Sequence, residues 1–228
     1  VGIEDVPTEF AYAEKTAVAN KPLPLTSYSA GTNGLAYQQI IMPMPAFTEA
    51  QMDLLPLYST CVTEMGVGSR DYQQTQLWHS SVVGAYSASA SVRSDKEHLD
   101  QLHGNMSFSS KGLARNQQAM SDLMQESLEH ARFDELSRLR ELVSQIRTYR
   151  ESSITGNGHV LAMTAAASGL SANGYLSQRW GGMAGLASLK TLDQSLESNT
   201  GLEALSAQLA AIHKLVLQQP RQYLLVAE

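Results

Sequence analysis

Apolar and polar positions along the chain repeat with two periods, and the clearer of the two is strict alternation. Tyr86, Ala88, Ala90 and Val92 alternate with Ser87, Ser89, Ser91 and Arg93. Successive side chains of a strand point to opposite faces, so this run is a strand with one apolar and one polar face. A charged turn, Ser94–Asp100, leads to a second alternating run. There Leu102, Met106 and Phe108 share a face opposite His103, Asn105 and Ser107, and the two runs are expected to pair antiparallel. Earlier, Leu23–Ser29 and Leu35–Met42 flank Gly31-Thr32-Asn33-Gly34 and read as a hairpin, with Asn-Gly suited to positive φ. Pro43 and Pro45 close its second arm, because proline cannot donate to a ladder. Gln222–Ala227 reads as a last strand, and Pro7 and Pro22 break the mixed residues 1–22.

The other period is that of a helix. Leu54, Leu55, Tyr58, Cys61, Val62 and Met65 form one stripe at 3.6-residue spacing. Thr48 with Gln51 three residues on makes a capping box. Pro56 fits best in a first turn, which makes Asp53 the rival N-cap. Gly66 and Gly68 stop this helix, and a second is expected over Asp71–Val83. Helical spacing returns in Ala114–Leu128, Asp134–Arg150, His159–Gly169, Ala172–Trp180, Leu186–Leu196 and Leu202–Gln218. Glu135 and Glu141 lie near Arg138 and Arg140 and read as a solvated face with intrahelical ion pairs. Strands grouped apart from helices predict an α+β fold, an antiparallel sheet with helices packed on one face. One domain over residues 1–228 is expected.

Composition narrows the partners. The 228 residues are 43% hydrophobic and 17% charged, as in a globular protein. A net charge of −6 supplies no basic surface for nucleic acid. No apolar run reaches the roughly 18 residues of a membrane helix, so no membrane partner is expected. Cys61 is the sole cysteine, which excludes an intrachain disulfide or a cysteine-based metal site. Its place on an apolar stripe makes it a small buried hydrophobe. The chain opens at Val1 without Met or signal peptide and closes on QYLLVAE, and both ends read as cuts in a longer polypeptide.

Three segments in order carry a resemblance. They are Thr63-Glu64-Met65-Gly66-Val67-Gly68-Ser69-Arg70-Asp71-Tyr72, then Ser153-Ile154-Thr155-Gly156-Asn157-Gly158-His159, then Ser168-Gly169-Leu170 through Gly174-Tyr175-Leu176 to Gly181-Gly182. With the strand order, they resemble the insulinase-type zinc metallopeptidases, in the presequence protease and falcilysin branch. The match is to the family-associated domain that opens the second half of the protein. The resemblance implies a parent of four such domains, two per half, that closes around a chamber and degrades unstructured peptides. It implies zinc in the parent's first domain, held by an H-x-x-E-H helix and a distal Glu. The domain resembled here would supply chamber wall and inter-half interface. Its partners would be the other domains of the polypeptide and the enclosed peptide substrate.

The residues fit a companion domain rather than a catalytic one. Where the family's metal helix would lie, this chain offers Ser59, Val62 and Thr63 in place of His, Glu and His. Zinc needs three or four N, O or S ligands converging on one point, so no metal, cofactor or catalytic residue is assigned here. Of the six histidines only His98 and His103 are close in sequence, at a step that suits neither strand nor helix ligation. His159 follows Gly156-Asn157-Gly158 and reads as a brace at a helix junction. One surface is assigned a role. In the family's catalytic domain an edge strand pairs with substrate backbone. The matching strand here is Tyr86–Arg93, and Ser87, Ser89, Ser91 and Arg93 are expected to face the peptide. The alternative to a peptidase domain is a stand-alone scaffold or interaction protein of the same fold. An unrelated hydrolase is a third reading. As an isolated chain, the peptidase domain is expected to be inactive.

Overall fold

The computed structural model describes Gly2 and residues 15–17, 24–98 and 101–228. The alternating runs become strands β4 (Ala85–Ser94) and β5 (Leu102–Leu113), paired antiparallel with Ser89 opposite Ser107. They continue into a sheet with β1 (Lys15–Ala17), β2 (Leu25–Ser29), β3 (Leu35–Pro43) and β6 (Gln222–Ala227). The strand order is β1-β2-β6-β3-β5-β4. Every neighbouring pair is antiparallel except β2 and β6, which run parallel.

The hairpin over Leu23–Pro45 differs from expectation in one respect. Its turn forms, with Asn33 at φ 54° and Gly34 at φ 78°. Its arms, however, do not touch, because β6 inserts between β2 and β3. Tyr223, Leu224, Leu225 and Val226 are apolar on both faces, as suits a strand in mid-sheet. The split turn then receives the chain's last residues. Ala30 N–H donates to Ala227 C=O at 3.1 Å, and Asn33 N–H donates to a Glu228 carboxylate oxygen at 2.6 Å. Pro7, Pro22 and Leu23 lie outside the described residues.

Helices cover one face of the sheet. They are α1 (Glu49–Glu64), α2 (Tyr72–Val82), α3 (Gln117–Glu129), α4 (Leu136–Ser153), α5 (Gly158–Ala167), α6 (Ala172–Trp180), α7 (Met183–Ser195) and α8 (Asn199–Leu217). A 3₁₀ turn, Ala114–Asn116, leads into α3. Ile40, Met42, Met106 and Phe108 on the inner sheet face pack against Leu55, Tyr58, Cys61 and Val62 of α1 and against Leu209, Ile212 and Val216 of α8. All of these are buried, and burying a side chain of that size stabilises by roughly 1.5–3 kcal/mol.

The start of α1 is set by Thr48. Its hydroxyl accepts from Gln51 N–H while the Gln51 side chain accepts from Thr48 N–H, a complete capping box. Pro56 therefore lies inside the helix, and Asp53 is not the cap. A proline there removes the donor for the carbonyl four residues back, that of Met52. The indole N–H of Trp180 fills the gap, at 2.7 Å. Asp53 instead pairs with Arg179, so α6 is fixed to α1 at two neighbouring points.

Candidate functional site

Among the described residues strand β4 closes one edge of the sheet, with β5 as its sole strand partner. Ser87, Ser89, Ser91 and Arg93 are exposed on the face away from the helices, while Tyr86, Ala88, Ala90 and Val92 are half-buried on the inner face. Across the register they meet Ser109, Ser107, Asn105 and His103, so the outer face of this corner is polar throughout. None of the four side chains bonds to another described residue. The edge also offers backbone groups. Met44 N–H donates to Gly104 C=O, so the even-numbered residues of β5 aim their backbone groups at β3. Odd-numbered residues of β5 and β4 then bond each other, which leaves the N–H and C=O groups of Tyr86, Ala88, Ala90 and Val92 directed off the edge. This constellation can pair with an extended chain; it contains no nucleophile–base pair.

The stretch of α1 where the resemblance places a metal helix is interior. Ser59, Val62 and Thr63 are all buried, and Thr63 Oγ1 donates to Thr60 C=O at 3.1 Å. Cys61 is fully buried, and burial pushes its thiol up to about 12. Such a thiol is inert at neutral pH. Among the described residues no cluster of three or more His, Cys, Asp or Glu could hold a metal ion. Zinc therefore does not fit these residues. His98 and His103 meet only through Asp95, which accepts from His98 N–H at 3.0 Å and lies 3.1 Å from His103 Nε2. His159 is exposed in the first turn of α5 and bonds no described side chain or backbone group with its ring, so it braces nothing there.

Two histidines without an assigned role turn out to be structural. His213 Nδ1 shares a hydrogen bond with the Tyr58 hydroxyl at 2.9 Å, and His79 Nε2 shares one with Ser127 Oγ at 3.1 Å. Burial lowers both to about 4, aided at His79 by the Arg70 charge. Glu135 also departs from expectation. It is not a member of a surface ion pair; its carboxylate accepts from Gly66 N–H at 2.7 Å and Tyr72 N–H at 3.0 Å. It thereby holds the Gly turn between α1 and α2. A Cβ at Gly66 would stand 2.5 Å from that carboxylate, so the residue must be glycine. Glu141 does pair with Arg138, at 3.4 Å, and Arg138 also reaches Glu64 and lies over the Tyr72 ring.

A cleft on the helical side escaped the reading of the sequence. Its larger part, about 620 Å³, lies between α1, α4, α6 and α7 and has Leu54, Leu57, Ile146, Trp180, Leu189 and Leu192 in its wall. A second part, about 210 Å³, is walled by Ile154, Val160, Leu161, Met183 and Leu186. Arg150 and Gly181 line both. The available signal was α5 itself, whose sequence HVLAMTAAA has no polar face to give to water.

Comparisons with known proteins agree with the fold. A family model for the domain associated with peptidases of family M16, subfamily C, matches residues 1–192. The chain is 29% identical over 181 residues to the mitochondrial presequence protease of Danio rerio, covering 79% of this chain and 18% of that protein. It is 23% identical over 220 residues to presequence protease 1, chloroplastic/mitochondrial, of Arabidopsis thaliana, covering 95% of this chain and 20% of that one. The chain thus spans about a fifth of the length of the relatives it matches. Among solved structures, a conserved protein from Enterococcus faecalis V583 superposes with a TM-score of 0.60 at 11% identity, over 90% of this chain and 47% of that one. A peptidase M16 inactive domain from Pseudomonas fluorescens superposes with a TM-score of 0.52 at 14% identity, over 95% and 47%. The match to the family model extends over most of the sequence, from residue 1 into α7, and on that ground the chain belongs to the family of domains associated with subfamily C of the M16 peptidases.

Proposed function

We propose that this chain is a non-catalytic domain of a zinc metallopeptidase that degrades unstructured peptides. It supplies chamber wall and the interface between the two halves, and the zinc and its ligands lie in another domain of the same polypeptide. The observation that carries this reading is one of proportion. Presequence proteases align with up to 95% of this chain, yet the aligned part is about a fifth of each of them. The interior position of Ser59, Val62 and Thr63 supports the assignment of the chemistry elsewhere.

Within that role, β4 is the peptide-facing strand. An extended substrate adds to the edge through the free backbone groups of Ala88 and Ala90, and Ser87, Ser89, Ser91 and Arg93 border it. The test is turnover of an unstructured peptide by the full-length polypeptide and by residues 1–228 alone. The full-length protein is expected to cleave and the isolated chain to be silent. Turnover by the isolated chain overturns the reading, and a full-length protein that cleaves nothing favours a scaffold of the same fold.

A further inference from the structure

The cleft beside α4 contains an arginine without a counter-ion. Arg150 is half-buried, and the one hydrogen bond of its guanidinium to the described residues goes to Gly182 C=O at 3.2 Å. No described carboxylate lies within ion-pair distance, although Arg147, Arg179 and Arg138 all have one. A guanidinium withdrawn from water without an anion is costly, so this position is complementary to a carboxylate brought from outside.

The rim of the cleft is apolar and exposed, with Tyr149 in the wall of the larger part and Val160 and Met183 in that of the smaller. Of the ten large apolar side chains exposed among the described residues, six fall between 149 and 183. They are Tyr149, Val160, Met163, Leu170, Tyr175 and Met183, with Leu170 83% exposed and Tyr149 74% exposed. Helix α5 has no buried residue at all. An apolar helix left in water beside a groove marks an interaction surface. The two cavities adjoin at Arg150 and Gly181, which line both, and a divided groove of this kind suits a run of chain with several apolar side chains better than one compact small molecule.

We infer that this cleft is the docking groove for an acidic, apolar segment of the remaining polypeptide, with a carboxylate of that segment paired to Arg150. The inference rests on the proposal that the chain is one domain of a longer peptidase. A segment on the same chain is favoured over a free partner because the relatives are about five times as long as this domain. A tethered segment also meets the groove at a high effective concentration. Its large side chains fill the space beside Leu189 and Leu192 and cover Val160 and Met183.

The experiment uses the full-length polypeptide with a photo-reactive benzoylphenylalanine in place of Tyr149, followed by mass spectrometry of the adduct. The expected adduct joins position 149 to a peptide outside residues 1–228 that has Asp or Glu beside large apolar residues. Arg150→Glu is expected to lower its yield at least several-fold, and Arg150→Lys, which keeps the charge, to retain most of it. Should Arg150→Glu fail to fold, Arg150→Gln replaces it with the same expectation. Adducts confined to residues 1–228, adducts to a second copy or to another protein, or a yield indifferent to the charge at position 150 each overturn the inference. Peptide turnover of the same samples reports separately on the peptidase reading, so the two can fail independently.

Discussion

The indole N–H of Trp180 donates to the Met52 carbonyl at 2.7 Å, and that carbonyl is the one Pro56 deprives of its helical donor. Two residues far apart in sequence thus repair one break in α1. Trp180→Phe should leave a half-buried carbonyl unsatisfied and cost about 1–3 kcal/mol. In a Pro56→Ala background the helix regains its own donor, so the same substitution should cost about 1 kcal/mol less. Urea unfolding of the four chains of this double-mutant cycle measures the coupling. Equal costs in both backgrounds would contradict the repair.

Glu135 and Glu141 sit close together in sequence and do different things. Glu135 accepts two backbone N–H groups of the Gly turn, while Glu141 makes an exposed pair with Arg138. Glu135→Ala should destabilise by about 1–3 kcal/mol because it orphans both donors. Glu141→Ala should change stability by less than about 1 kcal/mol, as exposed pairs do. Thermal midpoints that fall equally for the two would refute the distinction.

Much of this was legible in the residues, and what was not shares one physical cause. Alternation in Tyr86–Arg93 gave the strand and its exposed serines, and Thr48 with Gln51 gave the start of α1. Both are local signals. The insertion of β6 between β2 and β3 depends on a partner some two hundred residues away, and no local pattern encodes such a pairing. Pro56 suggested a later helix start because the donor that tolerates it, Trp180, is equally remote. Glu135 read as an ordinary surface charge and Arg150 carried no assignment for the same reason: the backbone turn and the cleft that give them meaning exist only once the chain has folded. Tyr58–Glu64 holds no His–Glu–His set to read, and the peptide-facing role of Ser87, Ser89, Ser91 and Arg93 is a matter for experiment.

Acid should weaken the fold from pH 6.5 downward. His79 and His213 have folded-state values of about 4, below the unfolded value of 6.5. The unfolded chain therefore binds more protons between those limits, and stability falls as pH falls through that window. Each pK unit is worth about 1.4 kcal/mol, so the two buried rings together account for several kcal/mol. Below about 4.5 the carboxylates held low by hydrogen bonds, Glu129 and Asp134 among them, add to the loss. Urea midpoints should change little between pH 7.5 and 6.5 and drop from there to pH 4, and the drop should shrink in His79→Gln and His213→Gln. A flat profile down to pH 4.5 would exclude the mechanism.

Ser89 is exposed in the middle of β4 opposite Ser107, and its side chain makes no hydrogen bond to another described residue. Ser89→Trp in the full-length polypeptide should lower kcat/KM for an unstructured peptide several-fold. Its thermal stability should stay within about 0.5 kcal/mol of the parent, as for other surface substitutions. Unchanged turnover would remove β4 from the substrate path.

The central claim, that this domain accompanies metal chemistry without performing it, is tested most directly by the zinc content of the purified 228-residue chain after equilibration with zinc and gel filtration. Ser59, Val62 and Thr63 pack into the interior and no described cluster can ligate an ion, so far less than one zinc per chain should remain bound. One tightly held zinc per chain would contradict the account.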